Sequence, residues 1–160
     1  MPENQSLVHP NNSLGVVDPR RAAVVDEARS WIGTRFHMGA CTKGVAVDCG
    51  RFLASVYAEC GIKVPDAKMI EDSGIIRRDW YLHTKKQLYM ELLDQFTKPV
   101  DGPVTGDIAM FAPCNGIWAH SAIITTWPLV IEAGGAPRCG QRRADMHPLS
   151  AWPVTFRSPF

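Results

Sequence analysis

Cys49 and His120 are the two side chains of this sequence whose types suit covalent catalysis. Cys49 opens a run in which Cys49, Phe52, Leu53, Val56, Tyr57 and Cys60 recur at i, i+3, i+4, i+7, i+8 and i+11. That spacing lines one helical face, and Gly61 supplies a stop. A thiol in the first turn of a helix lies beside unpaired backbone N–H groups and the positive end of the helix dipole, both of which favour thiolate. Packing is an equal alternative by position alone, because cysteine is a common small core residue. A thiol nucleophile needs a base. His120 lies 71 residues further on, in WAHSAIITT, where strand alternation puts His120, Ala122 and Ile124 on one face. A lone histidine is otherwise an ordinary hydrogen-bonded side chain. Glu132 falls on the next strand-like run, a spacing that suits an antiparallel neighbour joined by the turn around Trp127-Pro128. A carboxylate there would orient the imidazole and stabilise its cation; the alternative is a solvated charge at a strand edge. Asp48, directly before Cys49, is a good N-cap for the same helix.

The elements that must hold these groups can be read on either side of them. Asp18-Pro19 reads as an N-cap followed by a first-turn proline, and Val24, Val25, Ala28, Trp31 and Ile32 continue at helical spacing, predicting a helix over about 19–32 ended by Gly33. The segment TRFHMGACTKGVAVD mixes breakers without a sustained period and reads as a loop with a short extended stretch. A third helical pattern runs over about 84–96 through Leu88, Leu92, Leu93 and Phe96. After the turn-forming KPVDGPVTGD come short β-type runs, IAMFA, WAHSAIITTW, LVIEA and WPVTFRS. Helices first and strands afterwards predict an α+β domain in which helices cover one face of an antiparallel sheet around a single core. Residues 1–17, rich in Asn, Pro and Ser, read as a loose arm, and 18–160 as one domain.

Composition narrows the partners. The chain has 160 residues, 46% of them hydrophobic, enough to build a core without staples, and a formal net charge of +1 without the basic excess of a nucleic-acid binder. Five cysteines, at 41, 49, 60, 114 and 139, are an odd number without a CxxC pair, so reduced thiols are expected. His37/Cys41 is the only short pair of metal-ligand type, and no metal or cofactor is expected. No stretch approaches the ~18 unbroken apolar residues of a membrane span, and the first residues lack the cationic start and apolar core of a signal peptide. Trp80, His83, Trp118 and Trp127 are candidates to line a glycopeptide cleft, with core anchoring as their alternative. Arg138, Arg142 and Arg143 form a small basic cluster that reads as solvated surface, with a groove for acidic peptide carboxylates as the alternative.

In order, the blocks GTRFHMGACTKGVAVDCGRF, GDIAMF, AHSAIIT and VIEA resemble the NlpC-like, papain-related cysteine peptidases of bacterial cell walls. The matching parts are Phe36 with Gly39, Asp48 with Cys49, Gly106-Asp107 with Phe111, then His120 and Glu132. The phage-tail and gene-transfer-agent branch is similar over more of the chain, through Ala28-Arg29, Trp31-Ile32-Gly33-Thr34, Lys43-Gly44 and Asp79-Trp80-Tyr81-Leu82-His83, so that about 20–160 are covered. The resemblance implies a papain-like fold and a thiol peptidase or amidase acting on the peptide stem of peptidoglycan, often between D-glutamate and the diamino acid. It implies Cys49 as nucleophile, His120 as proton carrier and Glu132 as the orienting group, with Asp48, Phe36 and Trp118 in substrate contact. It further implies a tail-associated lysin, made in the cytoplasm and delivered by assembly with tail proteins. Four positions depart from the pattern: Arg35 replaces a common Pro, Phe36 a usual Tyr, Gly50 a frequent Ser, and Glu132 a frequent His. Two other classes stay open. One is a lipid acyltransferase relative, which would carry an apolar anchor; the other is a non-catalytic tail component with the same fold.

Overall fold

The computed structural model describes residues 17–134 and 137–160. Residues 1–16 of the expected arm lie outside this range, and Val17, its last residue, is exposed.

Among the described residues, four α-helices precede the main sheet. Helix α1 (Pro19–Ser30) starts where Asp18 accepts the Arg20 N–H, and it buries Val24, Val25 and Ala28. Helix α2 (Cys49–Glu59) buries most of one side, including Phe52, Leu53, Val56 and Tyr57. Helix α3 (Ala67–Asp72), not expected from the sequence, is a single capped turn and a half: Asp66 accepts the Met69 N–H at 2.8 Å, and only Ile70 is buried. Helix α4 (Leu88–Asp94) is shorter than the predicted 84–96. The segment read as a loop between α1 and α2 contains three two-residue strands, β1 (Arg35–Phe36), β2 (Cys41–Thr42) and β3 (Ala46–Val47), in the order β1-β3-β2.

The six-stranded sheet is antiparallel throughout. It comprises β4 (Lys98–Val100), β5 (Ile108–Phe111), β6 (His120–Thr126), β7 (Leu129–Glu132), β8 (Gly140–Arg143) and β9 (Val154–Ser158), ordered β4-β9-β5-β6-β7-β8. The C-terminal strand therefore enters between β4 and β5 rather than extending a meander. The two unexpected strands, β4 and β8, are the edges. Pro99 is tolerated at an edge because no second neighbour needs its N–H, and Gly-Gln-Arg-Arg needs no apolar alternation where one side meets water.

One face of the sheet packs on the helices. Ile108, Met110, Ile123 and Ile131 join Val24, Phe52, Leu53 and Tyr57 in the larger core. A second, smaller cluster covers the other face, where Ala109, Phe111, Ala122, Ile124 and Val130 meet Leu149 with Trp127, Trp152 and Phe156 at its margin. The expectation of one core and one covered face is corrected accordingly: β5 is buried at all four positions because both its faces are covered. α2 and β6 lie against one another, which brings the start of the helix to the start of the strand.

Candidate active site

Asp48 places Cys49 by closing the N-terminus of α2. Its backbone is extended (φ −101°, ψ 173°), and its Oδ1 accepts the Arg51 N–H at 2.8 Å. Its Oδ2 accepts from the Gly39 N–H at 2.8 Å and from Arg51 Nη1 at 2.7 Å. Asp48 and Arg51 are 2% and 4% exposed, so this is a buried ion pair whose charges are neutralised and hydrogen-bonded in place. The bond to Gly39 also ties the preceding loop to the helix start. Asp48 borders the cleft described below, yet both its oxygens are engaged by these internal donors. The first two residues of the helix, Cys49 and Gly50, keep their N–H groups outside this cap, as helix geometry requires.

The Cys49 sulfur is half-buried and lies 3.9 Å from the carbonyl oxygen of Ala119, at the entrance to β6. His120 follows immediately. Its Nε2 is hydrogen-bonded to Glu132 Oε2, which leaves Nδ1 outside that bond. Burial by itself would lower the His120 pKa. The hydrogen bonds and negative charges of Cys49 and Glu132 overcome it and raise the imidazolium from 6.5 to about 10. The ring is held by aromatic neighbours, Phe111 with centroids 5.9 Å away and Trp152 at 6.0 Å.

Glu132 is 2% exposed, which removes the strand-edge alternative. Its second oxygen, Oε1, lies 4.0 Å from Arg142 Nε on β8. One member of the surface arginine cluster therefore faces the buried carboxylate, while Arg143 pairs with Asp145 at 2.6 Å. Gly134 borders the imidazole. With φ at +148°, its missing Cβ would stand 2.9 Å from His120 Cε1, so only glycine lets the chain after β7 pass this close.

These groups border a cleft of about 630 Å³. Phe36 lies on its lining, as do Trp80, Tyr89 and Trp152. Trp118 does not; it is half-buried at the margin of the helix-side core, and its N–H donates to Gln87 Oε1 at 2.9 Å. Trp118, expected in substrate contact, thus stands away from this cleft, whereas Trp80 and Trp152 border it. Trp127 packs edge-on to Phe156 in the smaller core, and His83 hydrogen-bonds Asp79 outside this cleft. Tyr89 was not anticipated from the sequence. Its hydroxyl lies 2.8 Å from Ser121 Oγ, and a Cβ at Gly50 would meet it at 3.5 Å. A phenolic oxygen thus stands in the space beside Gly50, where the resembling peptidases frequently have Ser. No sequence signal marks Tyr89, because it sits on α4 at a helical core position like any other.

Among the described residues no group of three His, Cys, Asp or Glu side chains is arranged to hold a metal ion, and no helix is long and apolar enough to cross a membrane.

No protein-family model matches the chain, and no curated protein matches it. Solved structures do. A lipoprotein-like protein of the NLP/P60 family from Staphylococcus aureus superposes with a TM-score of 0.63 at 18% identity, over 94% of this chain and 45% of that one. The fold is that of NlpC/P60 domains. The peptidoglycan hydrolase RipB of Mycobacterium tuberculosis shares it with a TM-score of 0.55 at 17% identity, over 89% of this chain and 65% of RipB. RipD of the same organism, described as a non-catalytic NlpC/p60 domain protein adapted to peptidoglycan binding, shares it at 0.58 and 12% identity, over 87% of this chain and 96% of RipD. The chain spans less than half the length of the staphylococcal protein. An NlpC/P60 fold thus serves both a hydrolase and a non-catalytic protein, and the choice between them has to be made on side chains.

Proposed function

We propose that this protein is a thiol-dependent amide hydrolase acting on the peptide stem of peptidoglycan. The observation that carries the reading is the continuous arrangement of Cys49, His120 and Glu132 beside the cleft, with His120 held protonated between a sulfur and a carboxylate.

Cys49, as thiolate, attacks the amide carbonyl carbon and forms the C–S bond. Negative charge gathers on the carbonyl oxygen, towards the N–H groups of Cys49 and Gly50 at the start of α2. His120 then passes its Nδ1 proton to the leaving nitrogen, the C–N bond breaks, and an amine departs from a thioester. Water gives a proton back to His120 as its oxygen bonds to the acyl carbon, and the carboxylic acid leaves from a regenerated thiolate. Glu132, through Nε2, fixes the ring orientation and stabilises its cation in both halves of the cycle. The peptidoglycan stem as substrate is supported by the ordered blocks around Cys49 and His120 and by the fold shared with RipB. The blocks around Trp31 and Trp80 extend the reading to a tail-associated lysin, made in the cytoplasm and carried to the wall by its partners.

Digestion of purified peptidoglycan by the wild type and by Cys49→Ala, followed by mass analysis of released fragments, tests the proposal. Fragments carrying new amino and carboxyl ends are expected from the wild type alone. Equal release by both proteins, or none by either, overturns it and leaves the binding role that RipD exemplifies.

A further inference from the structure

Arg78 also borders the cleft, between α3 and the 3-10 turn Trp80–Leu82, and its charge has no partner among the described residues. The other charges on the lining are matched: Asp48 by Arg51, and Glu132 by His120. The acidic residue nearest to Arg78 in sequence is engaged elsewhere. Asp79 Oδ1 lies 3.4 Å from Arg77 Nε, and its Oδ2 lies 3.0 Å from His83 Nε2. The Arg78 guanidinium is instead placed over the ring of Phe36, its central carbon 5.9 Å from the ring centroid. A cation over an aromatic face is attracted by the ring quadrupole, and the planar group keeps its N–H edge free for a ligand. Phe36 also borders the cleft, so the pair forms part of one wall.

We infer that Arg78, supported on Phe36, is a specificity-determining residue that binds a free carboxylate of the substrate, so that the cleft selects acidic peptides over their carboxamide counterparts. A guanidinium without an anionic partner leaves a local positive potential at its own wall of the cleft. A carboxylate answers it with two parallel charge-assisted hydrogen bonds, which a carboxamide, with one acceptor and no charge, cannot make. Phe36, which lacks the hydroxyl of the usual Tyr, needs only its face for this role. The inference rests on the hydrolase reading for the identity of the peptide but not for the contact itself, because binding and turnover can be measured apart.

The test uses Cys49→Ala protein, which cannot turn substrate over, and two synthetic stem tetrapeptides, one with free carboxylates and one with those groups as carboxamides. Titration calorimetry is expected to show tighter binding of the free acid, and Arg78→Gln in the same background to weaken that binding by about 10- to 100-fold, the range of a charged hydrogen-bonded pair. The preference between the two peptides then falls towards unity, and Arg78→Lys restores part of it. Cys49→Ala protein without a preference for the free acid, or a preference that survives Arg78→Gln, overturns the inference. Failure of wild-type protein to cleave a peptide that Cys49→Ala binds with the expected preference overturns the hydrolase reading and leaves Arg78 its role.

Discussion

Glu132 Oε2 accepts a hydrogen bond from His120 Nε2 while its other oxygen lies 4.0 Å from Arg142 Nε, so a carboxylate 2% exposed stands between two cationic groups from different strands. Together with Cys49, this carboxylate raises the proton affinity of the imidazole against the effect of burial.

The His120 pKa is raised from 6.5 to about 10, so its contribution to stability is fully present below 6.5 and is lost as pH rises through about 10. Stability should therefore decline over that alkaline window, and hydrolysis should fall with it as the imidazolium loses its proton. Glu132→Gln removes one of the two anions and should move the His120 titration to lower pH. Imidazole NMR titration of the two proteins reads this directly; identical midpoints would show that Glu132 does not hold the proton.

Gly134→Ala should be among the most damaging small substitutions to activity. The added carbon would lie 2.9 Å from His120 Cε1, with a backbone φ of +148° that alanine rarely adopts. A displacement of the ring by a fraction of an ångström to one ångström costs up to about 100-fold in rate. Comparison of kcat with the thermal midpoint separates a displaced ring from general unfolding; an alanine variant with wild-type kcat refutes the close approach.

Alkylation should single out one sulfur. Burial and the nearby Glu132 charge push the Cys139 thiol up to about 12, and burial also raises Cys60, so both should react slowly with iodoacetamide at mildly acidic pH. Cys49, half-buried beside the protonated His120, should react faster than the other four, and His120→Ala should erase the difference. Peptide mass mapping after short exposure distinguishes these outcomes.

Asp48→Ala should cost about 3–5 kcal/mol, the penalty of leaving a buried cation without its partner. Arg51 is 4% exposed, so its charge is buried with the carboxylate, and the same change removes the cap of α2 and the anchor for Gly39. Urea denaturation measures the loss. A stable variant impaired only in substrate affinity would assign Asp48 to recognition instead.

Tyr89→Phe removes one hydrogen-bond partner of Ser121 in a fully buried position next to His120, a loss of about 0.5–1.5 kcal/mol for one hydrogen bond. Ser121 Oγ retains its 3.4 Å contact with the Cys49 carbonyl oxygen, so part of the bond can be recovered there. Equilibrium denaturation of Tyr89→Phe against Tyr89→Phe/Ser121→Ala checks it: the double variant should be no less stable than the single one.

The groups of the candidate site were legible because each depends on a local rule. A cap before a helical run places Cys49, and alternation along β6 puts His120 with Ala122 and Ile124 on the face that carries the smaller core. The antiparallel pairing of β6 and β7 then makes Glu132 reachable. What escaped was set by distant partners. Edge strands β4 and β8 carry no apolar period, and α3 is too short to show one. Tyr89 and Trp152 look like ordinary core residues until the fold brings α4 and β9's approach to the cleft. Trp118, a cleft candidate by residue type, lies off the cleft lining, because residue type does not fix which way a side chain points. The Gly134 requirement is likewise invisible until the His120 ring occupies its neighbourhood.

The sulfur comes from the helical half of the chain, and the ring and carboxylate come from consecutive strands of the other half. Neither half is armed without the other. Pulling α2 away from the sheet would part the sulfur from the imidazole and carboxylate at once, so the site would be lost as soon as the two halves separate, before either of them unravels.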